Sequence, residues 1–188
     1  MEGSQISLPL ALLAVLLLAS SFSTAESRLL HRIDHRRRFP VPPVCNVCRR
    51  AEFPRLCESF VPEVRTVTAD SVIEATVQAA ISRAQVAKAL ADKLMDSPST
   101  DSEVKGGLDM CRQNFEMLVL DLQKVLENLK GTGSRNDLMS NLSAALADID
   151  SCDESFNESP GRKSPVSHLT SNLRKLALNS LSLADDFN

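Results

Sequence analysis

Apolar residues recur at alternating steps of four and three in four segments that follow Pro62. The first, rich in alanine, carries Ile73, Val77, Ala80, Ala84, Ala87, Ala91 and Leu94. The second carries Val104, Leu108, Cys111, Phe115, Leu118, Leu122, Val125 and Leu129. The third carries Leu138, Leu142, Ala145, Ile149, Cys152 and Phe156, and the fourth Leu169, Leu173, Leu176, Ser180, Leu183 and Phe187. This spacing predicts four helices that each bury one face.

Short breaks separate the four predicted helices. The breaks are Asp96-Ser97-Pro98, Gly131-Thr132-Gly133 and Ser159-Pro160-Gly161. Ser134 is placed to cap the third helix, with Asp137 in its first turn, and Ser164 followed by Pro165 is a typical start for the fourth. Short connections make neighbouring helices antiparallel. The chain is therefore predicted to be all-α, an up-down-up-down four-helix bundle, and it contains no alternating run typical of a β-strand.

The first 25 residues resemble a secretory signal peptide. Leu8 to Ala19 is almost wholly apolar, and Ser23-Thr24-Ala25 provides the small residues that precede a cleavage site. A transmembrane anchor is the alternative, but it needs roughly 20 apolar residues and this run is shorter. We therefore expect a secreted, extracellular protein whose mature chain is soluble.

Residues 26–43 form a basic, proline-containing arm that lacks helical periodicity. We favour a solvated linker or a trimmed pro-segment, and the alternative is an electrostatic tether to an acidic polymer such as pectin. Residues 44–188 then form the helical domain. This domain is acidic, with more aspartate and glutamate than lysine and arginine, and the whole chain lacks tryptophan and tyrosine. Nucleic-acid binding is therefore not expected.

Cys111 and Cys152 are predicted to form a disulfide. Counted from the Gly131–Gly133 turn, both lie about 27–28 Å along their helices at ~1.5 Å per residue, and both fall on core stripes. Two buried free thiols are the alternative, but cysteines in a secreted chain are usually oxidised. The bridge would stabilise the fold by roughly 3–4 kcal/mol in the chain-entropy model.

Cys48 and Cys57 can close a short loop through Phe53-Pro54, where the proline helps to turn a helical hairpin. Cys45 is the odd cysteine: a spare thiol, an alternative partner for Cys57, or an intermolecular bridge. The Cys45-Asn46-Val47-Cys48 segment is formally a C-x-x-C motif. It precedes no βαβ unit, so we do not expect redox chemistry there.

No catalytic or metal-binding set stands out, so an enzyme is not expected and no cofactor is implied. His31 and His35 lie in the arm, and His168 has no cysteine or carboxylate at metal-ligand spacing. The acidic run Asp148, Asp150, Asp153 and Glu154 is interpreted as a solvated helix face. Two glycosylation sequons begin at Asn157 and Asn141; Asn157 is the better candidate because Asn141 lies within a predicted helix.

Several segments resemble the plant invertase and pectin methylesterase inhibitor family. They are Cys48-(x8)-Cys57 with Phe53-Pro54, Gly107-Leu108-Asp109-Met110-Cys111, Leu142-Ser143-Ala144-Ala145-Leu146 before Cys152, and Leu178-Asn179-Ser180-Leu181-Ser182-Leu183. The resemblance covers residues 44–186. Ala51 and Asn141 replace a threonine and an aromatic residue common in the family, and Cys45 is additional.

The resemblance implies a four-helix bundle preceded by a short N-terminal helical hairpin, with disulfides Cys48–Cys57 and Cys111–Cys152. It also implies a non-covalent, 1:1 inhibitor of pectin methylesterase that covers the active-site cleft of the enzyme in the plant cell wall, or apoplast. Acid invertase is the alternative target, but the Pro-Lys-Phe tripeptide associated with invertase inhibition is absent. A helical cell-wall or signalling module without an enzyme target is the alternative of another class. The partner-binding residues are not legible in the sequence.

Overall fold

The computed structural model describes residues 45–61, 65–157 and 163–185, and these residues contain helices and no strand. A 3₁₀ turn, Cys48–Arg50, precedes α1, which spans Pro54–Glu58. Four longer helices follow: α2 Ala69–Asp96, α3 Ser102–Glu127, α4 Arg135–Glu154 and α5 Ser167–Asp185. The predicted signal peptide, the basic arm, His31, His35 and Phe187 lie outside the described residues.

The four long helices form an up-down-up-down bundle. Helix α3 packs against α2 and α4, while α5 packs against α4 and returns to contact α2, which closes the ring of neighbours. The 3₁₀ turn and α1 form the N-terminal hairpin, which packs against α5. The predicted all-α bundle with two disulfides is confirmed. None of the described helices is long and apolar enough to cross a bilayer.

The core consists of the predicted stripes. Their central residues are buried, and the positions at the helix ends, Leu94, Val104, Leu129 and Leu169, are half-buried. The face of α2 toward the core is built from small side chains, since Ala80, Ala84, Ala87 and Ala91 are all buried. The same core contains larger buried side chains from the other helices, including Phe115 and Leu118 of α3.

Capping residues define where the helices begin and end. Ser134 forms a reciprocal capping box with Asp137 at the start of α4, which confirms the predicted cap. Thr68 forms another with Ser71 at the start of α2. Helix α2 ends at Asp96, in front of Ser97-Pro98. After Glu127 the chain widens into a π-turn, Asn128–Thr132, in which Gly131 adopts a φ of 89°. Glycine is favoured there because a Cβ atom is strained at positive φ.

The fourth long helix begins two residues later than predicted, at Ser167 and not at Pro165. Ser164, Pro165 and Val166 form a turn, and α5 begins at Ser167. The amide of Ser167 donates to the Ser164 carbonyl at 3.2 Å, and the amide of Val166 donates to the Ser164 hydroxyl at 3.3 Å. Ser164 therefore stabilises a turn that leads into the helix and does not cap it.

Both disulfides are buried within the domain. Cys111 and Cys152 join α3 to α4 with their Cα atoms 4.3 Å apart, and Cys48–Cys57 closes the hairpin with a Cα separation of 5.5 Å. Cys45 is a free, half-buried thiol, and its sulfur accepts a hydrogen bond from the Cys48 amide at 3.3 Å. The hairpin is thus cross-linked internally, while the second disulfide fixes two helices of the bundle to each other.

Candidate interaction surface

Within the described residues, no group of three histidine, cysteine or acidic side chains is arranged to hold a metal ion. His168 is exposed in the first turn of α5. The features that stand out lie on the outer surface of the bundle, along α3 and its seams with α2 and α4.

Three large apolar side chains on α3 point into solvent. Met110, Met117 and Leu120 are 49%, 48% and 46% exposed. On a helix with 3.6 residues per turn they fall within one face, on the side away from the buried stripe of Leu108, Phe115 and Leu122. We call these three residues the methionine face. Full burial of such a side chain contributes about 1.5–3 kcal/mol, so covering the exposed half of each would favour association by ~1 kcal/mol.

A groove extends from the methionine face toward α4. It has a volume of about 580 Å³ and is lined by Glu103, Gly106 and Met110 of α3 and by Ser151 and Glu154 of α4. A Cβ atom added at Gly106 would meet nothing within 4 Å, so this glycine leaves the groove open. The groove therefore provides concave space beside exposed apolar side chains.

The two glycines at this position serve different purposes. A Cβ atom on Gly107 would lie 2.8 Å from the Phe156 ring, because α3 and the end of α4 approach closely beside the Cys111–Cys152 disulfide. The Ser155 hydroxyl also donates to the Gly107 carbonyl at 3.2 Å. Gly107 thus permits packing of the bundle, whereas Gly106 shapes its surface.

An ion-pair cluster borders the methionine face on the side of α2. The Arg112 guanidinium donates to Asp109 at 2.8 and 3.1 Å and lies 3.8 Å from Asp92 of α2, while Gln113 donates to Asp109 at 2.9 Å. The hydrogen bond from Arg112 lowers the pKa of Asp109 below its usual value. Asp109 therefore stays charged in a mildly acidic medium and gives this border a fixed pattern of charge.

A second polar cluster lies in the seam between α3 and α4. The Lys124 ammonium donates to Asp121 at 2.7 Å, and Asp148 of α4 faces both groups. Burial and the neighbouring Asp121 carboxylate raise the pKa of Asp148 to about 6, partly offset by Lys124. One Asp148 oxygen is buried and has no hydrogen-bond partner among the described residues.

The acidic run of α4, interpreted from the sequence as a solvated face, is divided in the structure: Asp150 and Glu154 are exposed, whereas Asp148 and Asp153 are half-buried. Asp148 is half-buried against α3, while Asp150 and Asp153 both bind Arg174 of α5. Glu154 lines the groove described above. The division follows from helix geometry: Asp150 and Asp153 are three residues apart and share a face, whereas Asp148, two residues before Asp150, lies on nearly the opposite side of α4.

The two sequons differ in accessibility. Asn157 is exposed in the turn that follows α4, whereas Asn141 is half-buried within α4. Glycosylation at Asn157, and with lower preference at Asn141, stays a prediction.

The methionine face is not among the features predicted from the sequence. The available signal was Met110, Met117 and Leu120 themselves, which are apolar but out of phase with the buried stripe of α3. The seam cluster gave no comparable signal, because Asp121 and Asp148 look like ordinary surface acids until α3 and α4 pack together.

Comparison with known proteins agrees with this architecture. The profile of the plant invertase/pectin methylesterase inhibitor family matches residues 43–183. A crystal structure of a mutant form of a pectin methylesterase inhibitor from Arabidopsis superposes with a TM-score of 0.64 at 18% identity, covering 76% of this chain and 95% of the other. A second pectin methylesterase inhibitor structure, from Arabidopsis thaliana, gives 0.58 at 17% identity and covers 79% and 98%. No curated protein matches significantly in sequence.

The structural neighbours share the fold of this chain, and the family profile spans the hairpin and all four helices of the bundle. The chain belongs to the plant invertase/pectin methylesterase inhibitor family.

Proposed function

We propose that this protein is a secreted inhibitor of pectin methylesterase that binds the enzyme non-covalently, one to one, over its active-site cleft. Family membership supports an inhibitor of either pectin methylesterase or invertase. The observation that carries the docking proposal is the methionine face, a set of exposed apolar side chains on a helix whose opposite side is buried in the core.

Pectin methylesterase is the preferred target for two reasons. Both fold neighbours described above are pectin methylesterase inhibitors, and the Leu142–Leu146 and Leu178–Leu183 segments resemble that branch of the family. The Pro-Lys-Phe tripeptide of invertase inhibitors is absent from the chain. Acid invertase remains the second candidate, since the family profile covers both kinds of inhibitor.

The structure suits a docking protein because its surface is rigid before binding. Helix α3 is fixed to α4 by the Cys111–Cys152 disulfide and to α2 by close packing against the alanine stripe. A pre-organised surface loses little conformational entropy on association, so more of the gain from burying Met110, Met117 and Leu120 is available as affinity. Methionine also adapts its shape to a partner more easily than branched side chains.

Charges around the methionine face would orient the partner. The Asp109–Arg112 ion pair lies on one side of this face and the Asp121–Lys124 ion pair on the other, so each border carries a negative and a positive group. Such patterns affect specificity and association rate more than the area that is buried.

A titration of the purified protein against a pectin methylesterase and an acid invertase tests the target. We expect stoichiometric loss of esterase activity and no loss of invertase activity. The reverse result would assign the protein to invertase. Inhibition of neither enzyme would reject both and favour a helical cell-wall or signalling module.

A charge substitution tests the docking surface. Met117→Lys should weaken inhibition at least tenfold, because a charged group would have to be desolvated at the contact. Val86→Lys is the matched control: Val86 is 60% exposed on the outer face of α2, and inhibition should not change. Equal inhibition by wild type and Met117→Lys would place the contact elsewhere on the bundle.

A further inference from the structure

A cavity of about 470 Å³ opens between the N-terminal hairpin and α5, away from the methionine face. Phe53, Pro54 and Leu56 contribute its apolar surface, and Asn172 and Lys175 line it from α5. A volume of this size and a mainly apolar lining with few polar groups are typical of sites for small molecules.

The wall of this cavity that contains Phe53 is held firmly in place. The Phe53 amide donates to the Asn179 side-chain oxygen at 2.6 Å, and the Asn179 amide donates to the Phe53 carbonyl at 3.1 Å. Asn179 is itself buried, and the adjoining Cys48–Cys57 disulfide closes the hairpin. The cavity therefore exists before any ligand arrives, which lowers the ordering cost of binding.

Lys175 gives the cavity its charge preference. Its ammonium lies over the Phe53 ring, 6.0 Å from the ring centroid, and no carboxylate among the described residues pairs with it. Arg55 also lines the cavity but is engaged by Glu58 at 2.9 Å. Glu52 contributes to the rim and is exposed to solvent. Lys175 is half-buried, and its ammonium beside an aromatic surface favours a ligand with an apolar body and one negative charge.

We propose that the cavity between the hairpin and α5 binds a small aromatic carboxylate, with the ring against Phe53, Pro54 and Leu56 and the carboxylate on Lys175. The planar body would replace water on the apolar wall, and the ammonium would donate a charge-assisted hydrogen bond to the ligand. The site does not depend on the inhibitory function, since it lies on a different helix from the methionine face.

The test uses cinnamate as the anionic probe and cinnamamide as its neutral counterpart, each titrated into the full, disulfide-bonded protein and followed by NMR. We expect saturable 1:1 binding of cinnamate, with a dissociation constant on the order of 1 mM for so small a ligand. Shifts should be confined to residues of the hairpin and the middle of α5. Absence of saturable binding, or shifts centred elsewhere, would overturn the proposal.

Two variants distinguish recognition of the carboxylate by Lys175 from non-specific binding. Lys175→Gln should weaken cinnamate binding about tenfold and leave cinnamamide unchanged. Lys93→Gln, which removes an exposed lysine from α2, should change neither. A thermal melt of each variant verifies folding. If Lys175→Gln binds cinnamate as tightly as wild type, the carboxylate is not recognised by Lys175 and the site is not the one proposed.

Discussion

Asn179 and Asp148 are polar side chains that are wholly or partly buried in the bundle, and their effects on the stability of the fold are opposite. Asn179 is buried with both its donor and its acceptor used by the backbone of Phe53. Asp148 is half-buried, and one of its oxygens lacks a partner among the described residues. A buried amide whose hydrogen bonds are all made favours one arrangement of the chain. A buried carboxylate oxygen without a hydrogen-bond partner makes the ionised form of the side chain unfavourable in the folded protein.

Replacing Asn179 should release the hairpin from α5. Asn179→Ala removes two partly buried hydrogen bonds and should lower the free energy of unfolding by about 2 kcal/mol. Hydrogen exchange should become faster in residues 45–61 before the bundle itself is affected. Ser171→Ala, which changes an exposed serine on the same helix, is the control. Unchanged exchange in the hairpin of Asn179→Ala would contradict the role given to this residue.

Replacing Asp148 should alter how stability depends on pH. The pKa of Asp148 is raised from 3.8 to about 6, so between these values the folded protein keeps a proton that the unfolded chain loses. Stability from this group is therefore greatest at low pH, falls as the pH rises from about 4 to about 6, and then levels off. Asp148→Asn should remove this decline and raise stability at pH 7 by roughly 1–2 kcal/mol, allowing for partial solvation of the carboxyl group.

Urea unfolding at a series of pH values measures this effect. Asp96→Asn, at the exposed end of α2, is the control and should keep the wild-type profile. A profile for Asp148→Asn that runs parallel to wild type between pH 4 and pH 6 would show that Asp148 titrates normally.

At the scale of single elements, the ends of the helices depend on residues close in sequence, whereas the exposure of their outer faces depends on packing against other helices. Ser134 caps α4 where the sequence predicts, and the structure shows that Thr68 caps α2 in the same way, because a capping box needs only residues three apart. The start of α5 was misplaced because Ser164 and Pro165 also suit a turn, and the position of Val166 in the core selects that turn.

Two glycine substitutions should have opposite effects. Gly131→Ala places a Cβ atom at a φ of 89° and should destabilise the protein by about 1–2 kcal/mol. Gly106→Ala lies within α3 with nothing near the added atom, so it should stabilise the protein by about 0.5–1 kcal/mol through helix propensity. Thermal melts of both variants provide the measurement. Stabilisation by Gly131→Ala would mean that Gly131 is not confined to its positive φ, and destabilisation by Gly106→Ala would mean that the added methyl group is not free of contacts.

For the whole molecule, the two disulfides constrain chain segments of very different length. Cys111–Cys152 spans 41 residues and joins two helices of the bundle, whereas Cys48–Cys57 spans 9 residues within the hairpin. The longer bridge removes more conformational freedom from the unfolded chain, so it should contribute more to global stability.

Removing each disulfide by a pair of alanine substitutions should rank their contributions. The chain-entropy model gives a loss of about 4 kcal/mol for Cys111/Cys152 and about 2.6 kcal/mol for Cys48/Cys57. Urea unfolding of each double variant measures the loss, and retention of the single unfolding transition verifies that the fold persists. A larger loss for the hairpin bridge would show that the hairpin, and not the seam between α3 and α4, limits stability.

The sequence by itself determined the four helices, their buried stripes and the pairing of Cys111 with Cys152. A helix has a fixed rise and period, so the sequence gives both the face on which a residue lies and its distance from the connecting turn. The family resemblance added the choice of Cys48 over Cys45 for Cys57. Only the tertiary structure decided which outward residues matter. Met110, Met117 and Leu120 form an exposed face because the neighbouring helices leave that side of α3 uncovered. Asp121 interacts with Asp148, and Asn179 binds the backbone of Phe53. Both contacts join segments that are distant in sequence, so they depend on how the helices pack.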